Sequence, residues 1–321
     1  MNGGGMSNAG ILVTGAAGFI GRGLVAALAA DPSAQPVTAF DLRPVPDAER
    51  LPGVTYIAGD IRDAALTAHL LQHRPHCVVH LASVVAAGGD EQRDYEIDVK
   101  GTENVLRACQ AAGVGHLVVT SSGAAYGYHA DNPVPLRESD ALRGNDDFAY
   151  ARHKRMVEEL LAEWRVKHPA LKQTVFRPCT VLGPGTMNQI TAMFRRPLVL
   201  GLTGTATPFS LIADSDVVAA LLRAARGGPA GVFNLAGDGT LSLRQIAQTL
   251  GKPYLAIPPA LLKAALWLLN RLGVTALGPQ HVKFIQYRPV LDNALLKNGF
   301  GYVPQLDAVA VFERYAKAAR T

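Results

Sequence analysis

Tyr150 and Lys154 stand four residues apart in AYARHK, and a helix over 150–164 brings them to one face, one turn apart. Tyrosine is a poor base near neutrality. An ammonium one turn away stabilises the phenolate, which makes such a pair a usable general acid and base. Of the nine tyrosines only Tyr150 has a lysine at the fourth position after it. Ser122 closes the strand HLVVTSS (116–122) just upstream, where its hydroxyl is placed to hold a substrate oxygen. Thr120 and Ser121 lie close by, but alternation turns Ser121 to the opposite face. A serine at a strand end also serves as a turn or cap residue.

A second chemical signal lies at the start. Gly15, Gly18 and Gly21 in TGAAGFIG follow a strand and open a helix. Glycines in that context allow a tight turn, a backbone close to a pyrophosphate and tight helix–sheet packing, with the phosphates at the helix N-terminus. Asp41 in FDLRP closes the second strand, 26 residues after Gly15. A carboxylate there suits the adenosine ribose hydroxyls and repels a 2′-phosphate, so NAD is expected, with NADP, favoured by Arg43, as the alternative. Asp60 and Ile61 in GDIRD follow the third strand and either face the adenine or, for Asp60, cap a helix from about 63.

The elements needed to position these groups are legible. Apolar runs at 11–15, 36–41, 54–60, 77–82, 116–122 and 173–178 alternate with helical patterns at 19–30, 95–113 and 150–164. Several of the runs scarcely alternate, as expected of parallel strands buried on both faces. Strand–helix repetition of this kind gives an α/β fold, a doubly wound parallel sheet of Rossmann type, with the active edge at the strand ends. The dinucleotide domain is expected over 1–182 with a return segment at 209–237. A smaller substrate-binding region is expected from 183–208 and 238–321, read as helices and turns after about 238.

Composition bounds the rest. The chain has 321 residues, 49% hydrophobic and 18% charged, enough apolar matter for a large core and unlike a disordered or fibrous protein. Lys and Arg total 31 against 26 Asp and Glu, scattered rather than clustered, so nucleic acid is not an expected partner. Cys77, Cys109 and Cys179 match neither a disulfide framework nor a zinc pattern and suit a reducing compartment. The first ten residues read as a flexible leader, with Met6 as a possible start, and not as a targeting segment. The apolar run 258–273 is interrupted by Lys263, Asn270 and Arg271 and falls short of the ~20 residues of a span, so a cytoplasmic protein with no membrane partner is expected.

With these motifs assembled, TGAAGFIG, FDLRP, GDIRD, VVHLAS, NVLRAC, TSSGAAYG, YARHK and FRPCTVLGPG resemble, in order, the extended short-chain dehydrogenase/reductases. Within them the chain is most similar to the NAD-dependent epimerase/dehydratase group, UDP-glucose 4-epimerase-like proteins above all, over 11 to about 237 and loosely beyond. The resemblance implies that Gly15, Gly18, Phe19, Ile20 and Gly21 hold the pyrophosphate. It implies Asp41 at the ribose, Asp60 and Ile61 at the adenine, and Leu81, Ala82 and Ser83 along the middle of the cofactor. Tyr150 becomes the acid/base beside Ser122, Lys154 also binds the nicotinamide ribose, Asn104 anchors the central helix, and Pro178 lies near the carboxamide. Hydride exchange at a secondary alcohol or ketone carbon, a nucleotide-sugar substrate and a homodimer through helices 95–113 and 150–166 complete the expectation.

Some residues depart from that pattern or admit another use. Arg177-Pro178-Cys179-Thr180 has no asparagine where the sugar-nucleotide epimerases carry one against the substrate phosphate. The run ALLKAALWLLNRL resembles members acting on steroids or flavonoids, or is a core or oligomer helix. Such an apolar ketone is the alternative substrate, and an NAD-binding sensor without turnover is the alternative of another class. Arg195, Arg196, Lys283 and Arg288 are candidates to face a diphosphate. His69, His73, His76 and His80 cannot share one face because Pro75 intervenes, so no metal site is expected. Glu158, Glu159 and Glu163 read as a solvated helix face.

Overall fold

Strands β1 (Ile11–Thr14), β2 (Val37–Asp41), β3 (Val54–Ala58), β4 (Cys77–His80), β5 (His116–Thr120) and β6 (Lys172–Pro178) form one parallel sheet. Strand β11 (Gly231–Leu235) joins it, giving the order β3-β2-β1-β4-β5-β6-β11. Among the described residues six short strands, four between β6 and β11 and two after β11, lie outside that sheet and are numbered in chain order below. The structure, a computed structural model, describes all residues except 1–9, 32–34, 85–89, 276 and 320–321. The leader reading of the first residues therefore lies outside the described residues.

The unbroken apolar runs have their reason in two separate cores. Ile11, Val13, Cys77, Val79 and Val118 pack toward α1 (Phe19–Ala29) and α7 (Asp214–Ala225), against Leu24, Leu28, Val217 and Leu221. Leu12, Val78, Leu117 and Val119 point the other way, toward α2 (Ala65–His73), α4 (Gly101–Ala111) and α5 (Ala149–Lys167), against Leu66, Val105, Leu106, Val157 and Leu161. Each fully buried aliphatic side chain contributes about 1.5–3 kcal/mol, so both faces must be covered. Helix α3 (Glu91–Tyr95), capped by the Asp90 carboxylate, leads into α4 through a π turn at Glu96–Lys100. Asn104 donates from Nδ2 to the carbonyls of Ile61 and Asp63 at 2.6 and 3.0 Å, tying α4 to the loop after β3.

Beyond β6 a third core forms around Phe194, Phe209, Ile246 and Phe312. There β7 (Thr180–Leu182) pairs with β10 (Leu211–Ala213), while α6 (Gln189–Arg195), α8 (Leu243–Leu250) and α11 (Ala308–Ala318) surround them. Two further ribbons correct the reading of 238–321 as helices and turns. Strand β12 (Leu241–Ser242) pairs antiparallel with β9 (Pro208–Phe209), and β13 (Tyr254–Ile257) pairs parallel with β8 (Val199–Leu202). Strands of two to four residues are too short to show alternation. Helices α9 (Pro259–Arg271) and α10 (Val282–Gln286) complete this part.

Candidate active site

The strand order reverses between β1 and β4, and the glycine loop leaves β1 at that point. Gly15 has φ +70°, and a Cβ there would lie 2.6 Å from the Ala82 nitrogen and 2.7 Å from the Leu81 carbonyl carbon. The two strand exits thus touch backbone to backbone. A Cβ on Gly21 would meet the Gly15 oxygen at 2.2 Å, so α1 starts directly on the loop. Gly18 is its N-cap residue and donates to the Gly15 carbonyl at 3.0 Å. Among the described residues no side chain caps α1, which leaves the first-turn N–H groups at Phe19 and Ile20 for a ligand. A cradle that admits no Cβ and ends on open N–H groups fits a dinucleotide pyrophosphate.

Asp41 binds this loop to the end of β2. Its Oδ2 accepts from the Ala17 N–H and its Oδ1 from the Arg43 N–H, each at 2.9 Å. Asp60 does not cap a helix. It accepts from the Arg62 N–H and side chain, and the Arg62 guanidinium holds its carboxyl below the ordinary carboxylate range. Helix α2 starts only at Ala65, without a side-chain cap. Ile61 is buried behind it against α4.

The catalytic candidates come from three elements. Lys154 is buried on α5, its Nζ 5.6 Å from the centre of the Tyr150 ring and donating to Ser83 Oγ at 2.6 Å. Ser83, just past β4, belongs to the stretch expected along the cofactor, so α5 and the β4 exit are joined through this ammonium. Ser122 begins the short turn Gly123–Tyr126, and its Oγ accepts from the Ala124 N–H at 3.1 Å. That capping bond uses a lone pair and leaves the hydroxyl proton to donate. Pro178 ends β6, in register with Leu235 of β11.

Sequence reasoning passed over three features. His80, set aside as a metal ligand, is buried below the glycine loop with Nδ1 2.7 Å from Thr14 Oγ1 and Nε2 3.1 Å from Thr102 Oγ1. Thr102 gives its proton to the Asp98 carbonyl at 2.5 Å, so His80 Nε2–H donates to Thr102 and Thr14 donates to Nδ1. Burial holds this neutral ring's pKa down to about 3. Glu158 is the second, and it corrects the reading of a solvated face: it is buried and paired with Arg177 at 2.6 Å, and Ser121 donates to its Oε1 at 2.6 Å. Ser121 is thereby committed to Glu158 of α5.

The third is an aromatic group beside Tyr150. Phe148 stands 6.1 Å from Tyr150, 4.1 Å from Phe284 of α10 and 5.8 Å from Tyr128, between ring centres. Lys283 closes this contact by pairing with Asp147 at 2.6 Å, so it is occupied within the chain. Arg288 differs. Its guanidinium lies 4.1 Å over the Phe209 ring and donates to Thr180 Oγ1 at 2.8 Å, with no carboxylate partner among the described residues. Burial lowers its pKa. Cys179 is its neighbour, a thiol pushed by burial to about 12 and therefore no nucleophile. Arg195 and Arg196 are exposed at the end of α6.

This combination of sheet order, glycine cradle and tyrosine–lysine pair defines a dinucleotide-dependent Rossmann protein. The chain belongs to the NAD dependent epimerase/dehydratase family, which matches residues 11–236, and NAD is the cofactor of that family. It is 28% identical over 314 residues to an uncharacterized protein of Mycobacterium tuberculosis, covering 95% of this chain and 82% of that one. It is 33% identical over 269 residues to UDP-glucose 4-epimerase of Mycolicibacterium smegmatis, covering 75% of this chain and 83% of that protein. A 2-alkyl-3-oxoalkanoate reductase of Stenotrophomonas maltophilia is 30% identical over 188 residues, 58% of this chain and 55% of that one. The crystal structure of UDP-glucose 4-epimerase with UDP-glucose from Thermotoga maritima shares the fold, with TM-score 0.75 and 21% identity over 97% of this chain and 98% of that one.

Proposed function

We propose that the protein exchanges hydride at a secondary alcohol or ketone carbon of a nucleotide sugar. NAD, held by the Gly15–Gly21 cradle and Asp41, supplies the hydride acceptor and donor when bound. Ser122 donates its hydroxyl proton to the substrate oxygen, which fixes that oxygen at the end of β5. Tyr150 takes the proton from the carbinol hydroxyl and returns it. Lys154 stabilises the phenolate electrostatically and, through Ser83, holds α5 at the exit of β4. Asp60, Ile61, Leu81, Ala82 and Pro178 line the remaining path of the cofactor, and 183–208 with 238–321 take the substrate.

The observation that carries the nucleotide-sugar reading is Arg288, a half-buried guanidinium with an aromatic ring beneath it and no carboxylate beside it among the described residues. Such a group suits a phosphate. A second reading, an apolar ketone reduced and released, rests on Phe148, Phe284 and Tyr128 next to Tyr150. A sensor without turnover has no need of Ser122, Tyr150 and Lys154 together. A homodimer through α4 and α5 belongs to the same proposal.

Mass spectrometry of the purified protein under native and then denaturing conditions tests the reading. NAD released only on denaturation, together with interconversion of a UDP-sugar epimer pair, is the expected result. An empty protein that binds NADH reversibly and oxidises it only with apolar ketones favours the second reading. Failure to bind either dinucleotide refutes both.

A further inference from the structure

We infer that helix α9, with the adjoining β8–β13 ribbon, is a docking face for an anionic membrane surface. Helix α9 buries none of its residues, although nine of its thirteen are Ala, Leu or Trp. Its nearest support is the segment Pro279–Gln286. Among the described residues, nineteen large apolar side chains are exposed, and seven of them fall within 261–277. Leu261, Leu268 and Leu272 recur at i, i+7 and i+11 and are 60%, 51% and 65% exposed, an open apolar stripe along one side of the helix. Leu200 and Leu255 are also exposed, opposite one another in the β8–β13 register, and β13 ends at Ile257, just before α9 begins.

Charge identifies the occupant. From 239 to 291 the sequence has no Asp or Glu; Lys283 there is taken up by Asp147 and Arg288 by Thr180 and Phe209, while Lys263 and Arg271 stand exposed on α9. On α9 itself, Arg271 flanks the apolar stripe while exposed Lys263 lies across the helix from it, and the Arg271 guanidinium is 5.5 Å from the centre of the exposed Trp267 ring. An apolar stripe flanked by Arg271 and the Trp267 indole, on a helix that carries Lys263 and no acid, complements anionic headgroups over an acyl boundary. Thirteen residues make a helix of about 20 Å, shorter than the ~30 Å hydrocarbon layer, so α9 lies in the interface and does not cross it. Among the described residues no helix is long and apolar enough to cross a membrane. The expectation of no membrane partner rested on that criterion, which a surface helix escapes.

Cosedimentation of the full chain with vesicles of phosphatidylcholine and phosphatidylglycerol, beside vesicles of phosphatidylcholine alone, tests the inference. Expected are selective binding to the anionic vesicles and a blue shift of Trp267 emission in a Trp164→Phe background. Lys263→Gln and Arg271→Gln should each weaken the partition coefficient about fivefold. The triple change Leu261→Glu, Leu268→Glu and Leu272→Glu should abolish binding while NAD affinity stays intact. If the triple variant does not fold, the two charge variants decide the matter. No binding to anionic vesicles, equal binding to both kinds, or charge variants that bind as the parent does would overturn it. So would a halved mass by light scattering in the triple variant without any vesicle binding by the parent, since the face would then belong to a second copy of the chain.

Discussion

Arg177 and Glu158 form a two-pronged ion pair closed off from solvent, Nη2 to Oε2 at 2.6 Å and Nε to Oε1 at 2.9 Å. The pair fixes the end of β6 to the middle of α5, one turn beyond Lys154. Arg177 also donates from Nη1 to Tyr126 Oη at 2.7 Å, and Tyr126 donates to Asn234 Oδ1 at 2.8 Å. Helix α5, the turn after Ser122 and two strands are thus held in one polar network. Glu158→Ala leaves a buried guanidinium without its partner, which should cost about 3–5 kcal/mol in urea unfolding. A loss below about 1 kcal/mol would show that water enters and replaces the carboxylate.

Tyr150→Phe removes the hydroxyl and keeps the ring against Phe148. Turnover should fall by about 10²–10⁴-fold while NAD affinity is kept. Lys154→Met removes the ammonium that contacts Ser83 and faces the Tyr150 ring, so it should weaken both turnover and NAD binding. Calorimetry with NAD separates the two variants. Full turnover by Tyr150→Phe would place the acid/base elsewhere.

Gly15 and Gly53 offer a matched comparison, since both have positive φ, +70° and +76°. A Cβ at Gly53 meets nothing within 4 Å, so Gly53→Ala should cost only the left-handed penalty of about 1–2 kcal/mol. Gly15→Ala adds a collision with the Ala82 and Leu81 backbone and should destabilise further and abolish NAD binding. Equal effects of the two substitutions would mean that the β1–β4 approach can open.

His80 makes stability depend on pH. Its ring is neutral in the fold, with a pKa near 3 against the ordinary 6.5, so below pH about 6.5 the unfolded chain binds a proton that the folded chain does not. The contribution is complete above pH about 6.5 and is lost as the pH falls toward about 3, by up to about 1.4 kcal/mol per pH unit. His116, lowered by burial to about 4, acts in the same direction. Urea unfolding between pH about 7 and 5 should show this slope, and His80→Gln should reduce it by about one proton. An identical slope in the variant would assign the titration to other groups.

Arg288→Met keeps the stack on Phe209 and removes the charge. If the substrate carries a diphosphate, UDP affinity should drop about tenfold to a hundredfold, the worth of a charge-assisted hydrogen bond. Unchanged UDP binding, read by calorimetry, would shift the balance to the apolar-ketone reading.

The parallel sheet, the glycine cradle and the tyrosine–lysine pair are legible in the amino-acid order alone. Each is written in short-range terms: apolar runs without alternation, glycines where a turn admits no Cβ, and a four-residue spacing that a helix converts to proximity. It takes the folded chain to show that Lys154 meets Ser83, 71 positions away, that Glu158 is buried while its neighbour Glu159 stays exposed, and that Arg288 reaches Thr180 across 108 positions. Folding also makes β8 and β13 partners and leaves α9 uncovered. Such pairings depend on which crossover lays one element beside another. A local pattern records that a glutamate sits on a helix, but the side of the helix that meets the sheet, and the charge waiting there, are fixed only when the chain closes.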